Sequence, residues 1–346
     1  MRTTMGWQAT GTNTLELTTL ERRELRAEDI AVRVDYCGVC HTDLQGVNGH
    51  DRHATEPLVP GHEFTGVVTA TGAAVASFAV GDAVAVGNIV DSCGQCGMCE
   101  AGQENFCHSF PTLTYGGSDR HDGTTTLGGY SREYVVREAF AYPLPLGLDP
   151  AAAAPLLCAG VTVWEPLRSL GVGPGSRVAV AGLGGLGHLA VKMAAALGAA
   201  TTVISRTPDK RDDALRLGAD DFITSTRAQQ MAEARDSFDV VIDTISAAHD
   251  LAPLLKVVAI DGTLSVLGYL GPISLEVMDL LLGRKRLSSA GSGGRPATAE
   301  MLQFCAEHSI AADVEVLPSA EVGTALDRLR HNDVRYRFVL DMADLD

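Results

Sequence analysis

Basic residues are in short supply: 27 Lys and Arg stand against 43 Asp and Glu in 346 residues, a formal net charge of −16. That deficit leaves no general basic surface to neutralise phosphates, so nucleic acid is excluded as an expected partner. No uninterrupted apolar run reaches bilayer-spanning length, and the opening MRTTMGWQATGTNTLEL lacks an apolar core like that of a signal peptide. No membrane partner is therefore expected, and the reading is a cytoplasmic protein. Internal repeats and low-complexity tracts are missing too, apart from a short alanine run that reads as good helix former. Disulfides are disfavoured despite eight cysteines, because close C-x2-C spacings without a secretion signal suit thiolates held by metal.

What is present suits a two-domain globular chain: 46% hydrophobic and 20% charged positions. Short β-type runs, Ile30–Val34, Gly66–Ala70, Asp82–Val86 and Tyr134–Val136, are broken by Gly, Pro and Asp, which predicts an irregular, mainly β first domain. Past about Ala151 the pattern changes to strands alternating with helices. Strands are expected at Arg177–Ala181, Thr202–Ser205, Phe222–Ile223, Phe238–Asp243 and Gly262–Leu267, with helices at Lys210–Leu217 and Ala228–Ala234. Such alternation predicts an α/β, doubly wound parallel sheet over residues 156–292. After Gly291–Gly294 a helix at Thr298–His308 and a strand at Arg335–Leu340 bring no new β-α-β unit, so residues 293–346 are expected to complete the first domain, 1–155.

Cys93, Cys96, Cys99 and Cys107 form C-x2-C-x2-C-x7-C, a loop able to close four thiolates around a tetrahedral structural zinc. With four thiolates in place, that metal has no position left for a substrate. Gly182-Leu183-Gly184-Gly185-Leu186-Gly187 matches G-x-G-x-x-G directly after one predicted strand and at the start of a helix, the context of a dinucleotide site. Its glycines allow the tight turn, the approach of a pyrophosphate and close helix–strand packing.

The acidic residue that reads an NAD ribose about 20 residues further on is also lacking. Val203-Ile204-Ser205-Arg206-Thr207 stands there, with no carboxylate before Asp209. Arg206 can pair with a 2′-phosphate, Ser205 and Thr207 can donate to it, and Lys210 adds charge, so NADP(H) is expected over NAD(H). A second metal set is offered by Cys40, His62 and Cys158 in separated segments. Catalytic zinc takes three protein ligands and one open position, and Cys2His is a known solution. On spacing alone, His62 reads equally as an ordinary histidine and Cys158 as a buried thiol.

The strings GVCHTDL at Gly38–Leu44, GHEFTGVV at Gly61–Val68, the four-cysteine loop, LGGY at Leu127–Tyr130, PLLCAG at Pro155–Gly160 and the glycine turn occur in an order that resembles zinc-dependent medium-chain alcohol dehydrogenases. The likeness covers the whole chain and is strongest to the cinnamyl alcohol dehydrogenase branch, which includes bacterial NADP-dependent aldehyde reductases. It implies a GroES-like catalytic domain beside a Rossmann domain, two Zn2+ per chain, and interconversion of primary alcohols and aldehydes, aromatic or medium-chain, by hydride transfer. It makes Cys40, His62 and Cys158 the catalytic ligands, sets Glu63 behind or on that metal, and has Asp43 orient His62. His41 would meet the cofactor pyrophosphate and Thr42 would begin a proton relay. Thr42, Ile89 and Tyr115 would lie near the substrate. Homodimers or tetramers, paired through a strand near Pro272–Val277, are implied as well.

One further absence departs from that pattern: Gln45 stands where many members have the histidine that ends the relay. An amide cannot titrate near neutral pH, so the last proton step must pass through water or a group such as His41 or His50. His50 and His53 otherwise read as surface residues, Cys37 and Cys305 as buried thiols, and Trp7 and Trp164 as packing residues. Rival readings are an NAD-dependent enzyme of the same fold, a zinc-free quinone reductase, a polyol dehydrogenase with glutamate as third ligand, an inactive zinc-stabilised nucleotide binder and a zinc-ribbon protein. Cys40, His62, Cys158 and the four-cysteine loop together speak against the second, Cys158 in PLLCAG against the third, an intact ligand set against the inactive binder, and the acidic balance and the glycine turn against the zinc-ribbon protein.

Overall fold

The computed structural model describes residues 1–11, 14–49, 57–269 and 271–346. They form two compact units, Met1–Cys158 with Gly293–Asp346, and Ala159–Ser292. The break falls after Cys158, so Cys158 belongs to the same unit as Cys40 and His62, three residues beyond the boundary expected from the change in sequence pattern.

In the larger unit a seven-stranded sheet is centred on Asp29–Val39, which pairs antiparallel with Phe64–Thr71, Glu133–Arg137 and Arg337–Asp341. Ala83–Val86 and Ala141–Pro143 extend one side, and Val314–Pro318 runs parallel to Arg337–Asp341 on the other. The chain's last strand thus lies beside its third, and the C-terminal tail completes this unit. Ile30, Val32, Val34, Phe64, Tyr130 and Phe338 fill its core, each fully buried. Register shifts in the pairing with Phe64–Thr71 account for the irregular pattern of the early runs. An N-terminal hairpin, Arg2–Gly11 with Thr14–Arg22, forms where the reading placed nothing. Its strands bury few positions and are rich in Thr and charge, and the apolar alternation on each is short: Met5, Trp7, Ala9 on the first and Leu15, Leu17 on the second.

The smaller unit is a six-stranded parallel sheet in the order Asp221–Thr224, Ala200–Ser205, Arg177–Ala181, Phe238–Asp243, Val258–Val266, Arg286–Ser289. Helices cover both faces of such sheets, so the inner strands read as continuous apolar runs instead of alternating ones: Val178–Ala181 and Val240–Asp243 are buried at every residue. The order reverses between Arg177–Ala181 and Phe238–Asp243, and ligands of open α/β sheets bind at the carboxyl ends of strands at such a reversal. The sixth strand, half-buried at the sheet edge, was not legible. Residues 271–276 form no strand here, and the chain passes from them into the short helix Val277–Leu281. No helix among the described residues is long and apolar enough to cross a membrane.

Candidate active site and metal centres

Cys40 occupies the N-cap of the helix His41–Val47, in extended conformation. The cap is closed by the carboxylate three residues on: Cys40 N donates to Asp43 Oδ2 at 2.9 Å. Asp43 is fully buried and accepts three further bonds, from Gly61 N at 3.1 Å, from Tyr130 Oη at 3.3 Å, and across the 3.0 Å contact with His62 Nδ1. One side chain therefore joins the first ligand segment to the second. Gly61 is obligatory at that junction, because its φ is +98° and a Cβ would stand 2.7 Å from the Tyr130 ring. Cys158 follows the turn Ala154–Leu157 and brings in the third segment.

The result is a cluster of Cys40 Sγ, a His62 ring nitrogen and Cys158 Sγ, all within 4.8 Å of one another. The sulfurs are 3.9 Å apart, and His62 Nε2 lies 3.3 Å from Cys158 Sγ. Tetrahedral zinc at ordinary bond lengths spaces two thiolates by about 3.8 Å and a thiolate and an imidazole nitrogen by about 3.6 Å. The cluster fits that ion and is far too wide for a disulfide. Contact with Cys158 and His62 drives the Cys40 thiol well below its ordinary value, while the same Cys40 contact and burial raise Cys158. Burial alone would lower His62, but the Asp43 carboxylate and the Cys40 sulfur together outweigh it and raise the imidazole.

Glu63 does not join this cluster. Its Oε1 is taken by the Arg337 guanidinium, buried like the carboxylate itself, and burial pushes Glu63 up to about 7 against the pull of that cation. Gly38 makes room for it, since a Cβ there would meet Glu63 Oε1 at 2.4 Å. Glu63 follows the ligand His62 in the chain and is engaged by Arg337. Thr42 is exposed next to Cys40, with Oγ1 3.8 Å from its sulfur. His41 is half-buried, which lowers its pKa. Tyr115 packs against His62, ring centroids 5.7 Å apart, and Ile89 is buried in the strand Ile89–Asp91. Trp7 Nε1 donates to Ser319 Oγ at 2.9 Å and Trp164 is buried, so both serve packing. Cys37 and Cys305 are buried thiols; His50 and His53 lie outside the described residues.

Cys93, Cys96, Cys99 and Cys107 form a second cluster with sulfurs 3.8 Å (Cys93 to Cys99) and 3.5 Å (Cys96 to Cys99) apart, again tetrahedral-edge spacings. Backbone N–H groups point at two of its sulfurs, Cys93 N at Cys107 and His108 N at Cys96, and the latter contact draws Cys96 down to about 6.

At the glycine turn, Gly182 has φ +89° and Gly187 could carry no side chain, a Cβ there standing 2.1 Å from the Gly182 carbonyl oxygen. Gly184 differs, because a Cβ there would meet nothing within 4 Å. That open face lies just ahead of the ten-residue helix Gly187–Ala196, with Gly185 and Leu186 leading into it, where a pyrophosphate fits. Ser205 ends the second strand, and Arg206 and Thr207 follow it exposed. Among the described residues no carboxylate pairs with the Arg206 guanidinium. Lys210, expected to add charge beside Arg206, donates its Nζ to the Leu183 carbonyl at 2.8 Å, within the turn itself.

Residues 26–146 match the alcohol dehydrogenase GroES-like domain family, and residues 185–307 match the zinc-binding dehydrogenase family. The chain belongs to the zinc-dependent medium-chain alcohol dehydrogenases. Its relatives include a probable mannitol dehydrogenase of Mesembryanthemum crystallinum, 47% identical over 98% of this chain and 94% of that protein. A probable cinnamyl alcohol dehydrogenase 8A of Oryza sativa subsp. japonica is 45% identical over 98% and 95%. Among solved structures, a cinnamyl alcohol dehydrogenase from Sorghum bicolor superposes with a TM-score of 0.96 at 44% identity, covering 100% of this chain and 99% of that one. The same enzyme type from Helicobacter pylori, complexed with NADP(H), gives 0.91 at 32% identity over 98% of both chains. This enzyme is thus an alcohol dehydrogenase of the cinnamyl alcohol dehydrogenase branch, with a GroES-like unit and a Rossmann-type parallel sheet.

Tyr130, Arg337 and Arg22 escaped the sequence reading. Tyr130 had a signal, since LGGY was among the strings of the resemblance. Arg337 and Arg22 had none, because each acts on residues far away in the chain.

Proposed function

We propose that the chain is an NADP(H)-dependent alcohol dehydrogenase and aldehyde reductase that holds two zinc ions, one catalytic at Cys40, His62 and Cys158 and one structural at Cys93, Cys96, Cys99 and Cys107. The convergence of two sulfurs and one imidazole nitrogen from three separated segments carries this reading. When bound, zinc supplies Lewis-acid polarisation of the substrate oxygen, and the nicotinamide supplies or accepts the hydride. Asp43, at His62 Nδ1, fixes the tautomer that leaves Nε2 free to ligate. The Thr42 hydroxyl holds the proton exchanged with substrate oxygen. His41 and the turn Gly182–Gly187 bind the pyrophosphate; Ser205, Arg206 and Thr207 bind the 2′-phosphate; Lys210 stiffens the turn.

For the cofactor, support comes from the missing carboxylate directly after Ile204, the exposed Arg206 and the NADP(H) complex of the Helicobacter pylori relative. For the substrate, relatives carry two kinds of name, cinnamyl alcohol and mannitol dehydrogenase. Tyr115, packed on His62, and the buried Ile89, which the resemblance puts near the substrate, favour an apolar aldehyde, aromatic or medium-chain, over a polyol. Val277, Met278 and Leu281 leave most of their surface exposed in one short helix, which favours burial against a second copy as a homodimer or tetramer. Metal-held thiolates suit a reducing cytoplasm.

The test is oxidation of NADPH and of NADH against aromatic aldehydes, aliphatic aldehydes and fructose, the ketose of mannitol, with zinc measured on the same sample. Two zinc ions per chain and turnover of aromatic aldehydes with NADPH are expected. One zinc without turnover leaves only the structural site, and a preference for NADH removes the cofactor assignment.

A further inference from the structure

Arg22, at the end of the hairpin strand Thr14–Arg22, takes no part in the chemistry above. It is 6% exposed, and burial draws its guanidinium down to about 10. A buried cation is costly unless paired; this one is held by neutral oxygens. Nε donates to the Glu133 carbonyl at 2.9 Å, Nη2 to the Gly128 carbonyl at 2.7 Å and to the Ser131 hydroxyl, and Nη1 to the Leu127 carbonyl. The Glu133 side chain is occupied by Arg2, and the Tyr134 ring lies 4.9 Å beneath the Arg22 fork. All of these bonds end on one segment, residues 127–133.

That segment is the bed of the His62 loop. Gly128 N donates to the Val59 carbonyl at 2.7 Å, Gly129 N to that of Gly61 at 2.8 Å, and Tyr130 N to that of Pro60 at 2.9 Å. The two strands of chain approach too closely for side chains, since a Cβ on Gly128 would lie 2.1 Å from the Pro60 carbonyl oxygen. Tyr130 adds a side-chain link, its hydroxyl donating to the same Asp43 carboxylate that holds His62.

We propose that Arg22 is a positioning residue for the metal at Cys40, His62 and Cys158. It pins residues 127–131, whose backbone sets the approach of His62 and whose Tyr130 hydroxyl sets Asp43. The inference rests on the zinc reading above. The four-cysteine loop receives no bond from Arg22 and serves as an internal control.

The experiment follows zinc release from the holoenzyme to a chromogenic chelator, with total zinc by mass spectrometry. Cys158→Ser identifies which of the two release phases belongs to the three-ligand site. In Arg22→Met that phase is expected to quicken at least about ten-fold, the range seen when groups behind metal ligands are removed, while the four-cysteine phase keeps its rate. Arg22→Lys, which retains charge without the fork, falls between. Tyr130→Phe removes a single hydroxyl and serves if Arg22→Met does not fold; its three-ligand phase is also expected to quicken. A parent rate in a folded Arg22→Met, or in Tyr130→Phe if Arg22→Met does not fold, overturns the inference and leaves the zinc reading standing, as does equal quickening of both phases. A parent that holds one zinc, retained in Cys158→Ser, overturns the zinc reading and this inference with it.

Discussion

Asp43 Oδ1 stands 3.0 Å from His62 Nδ1, and the opposite ring nitrogen of that histidine lies 3.3 Å from the Cys158 sulfur. A neutral imidazole has one N–H and one lone pair, so a carboxylate at Nδ1 commits the proton there and turns the lone pair of Nε2 toward the sulfur cluster. The same carboxylate caps the helix that carries Cys40. Ligand geometry and helix geometry are thus set by one group.

Replacing Asp43 with Asn separates these roles from mere volume. The amide cannot accept at both of its ends, so one of the donors facing it loses its partner, at about 1–3 kcal/mol for a buried group. The expected outcome is a 10–100-fold weaker zinc affinity at the three-ligand site, with the four-cysteine zinc held as before. Competition with a chelator of known affinity measures both, and equal affinity at the three-ligand site would contradict the assignment.

Gly184 and Gly187 make opposite predictions within one turn. A methyl group at 187 collides with the Gly182 carbonyl oxygen, so Gly187→Ala should lower stability by about 1–3 kcal/mol, the usual cost of overpacking. At 184 the added methyl points into open space. Gly184→Ala should therefore leave the thermal midpoint of the cofactor-free protein nearly unchanged and weaken dinucleotide binding, because the methyl group takes the volume a pyrophosphate needs. Calorimetry and cofactor titration on both variants decide; unimpaired binding by Gly184→Ala would move the cofactor elsewhere.

Arg206 and Lys210 lie four residues apart yet should fail differently. Arg206 is exposed beyond the second strand, whereas Lys210 is bound to the Leu183 carbonyl. A charge-assisted bond contributes about 1.5–3 kcal/mol, so Arg206→Ala should raise the KM for NADPH about 10–100-fold and leave that for NADH alone. Lys210→Met loosens the turn under both cofactors and should raise both KM values together. Steady-state kinetics with the two cofactors tests the pair.

How much could be read in advance depended on whether the physics was local. Arg177–Ala181 and the glycine turn declare themselves within a dozen residues, through apolar continuity and the backbone demands of Gly182 and Gly187. Cys40, His62 and Cys158 were recognisable as ligand types, but their meeting depends on three segments folding together, and only the resemblance brought them to one point beforehand. Arg337 reaches Glu63 across 274 residues of sequence, and no local pattern announces such a pair. The hairpin Arg2–Gly11 with Thr14–Arg22 was missed for a related reason: its stability comes from tertiary partners such as Ser131 and Leu58, and little from its own periodicity.

The four-cysteine loop should matter for persistence and not for turnover. Its four sulfurs lie within 4.8 Å of one another, with Cys93 to Cys99 and Cys96 to Cys99 at tetrahedral-edge spacings. Cys96→Ser is expected to lose one zinc, lower the thermal midpoint and hasten aggregation, while the fraction still folded keeps its kcat. Activity normalised to folded protein, measured soon after purification, checks this. A parallel fall in kcat would show that the loop reaches the chemistry.

Gln45 is exposed on the helix His41–Val47, four residues after His41 and therefore on the same helix face. Its amide can pass a hydrogen bond along but cannot take up a proton. In Gln45→His the new imidazole, with an ordinary value near 6.5, is neutral above that pH and able to accept the proton released when alcohol is oxidised. Below it the ring is charged and cannot. The kcat for alcohol oxidation should therefore acquire a rise through about pH 6.5 that the parent lacks, with the gain present above that pH and absent below it, while aldehyde reduction should be favoured on the acid side. Profiles from pH 5.5 to 9 with saturating cofactor make the comparison. Superimposable profiles would mean that the relay from Thr42 reaches solvent by a path on which position 45 does not lie.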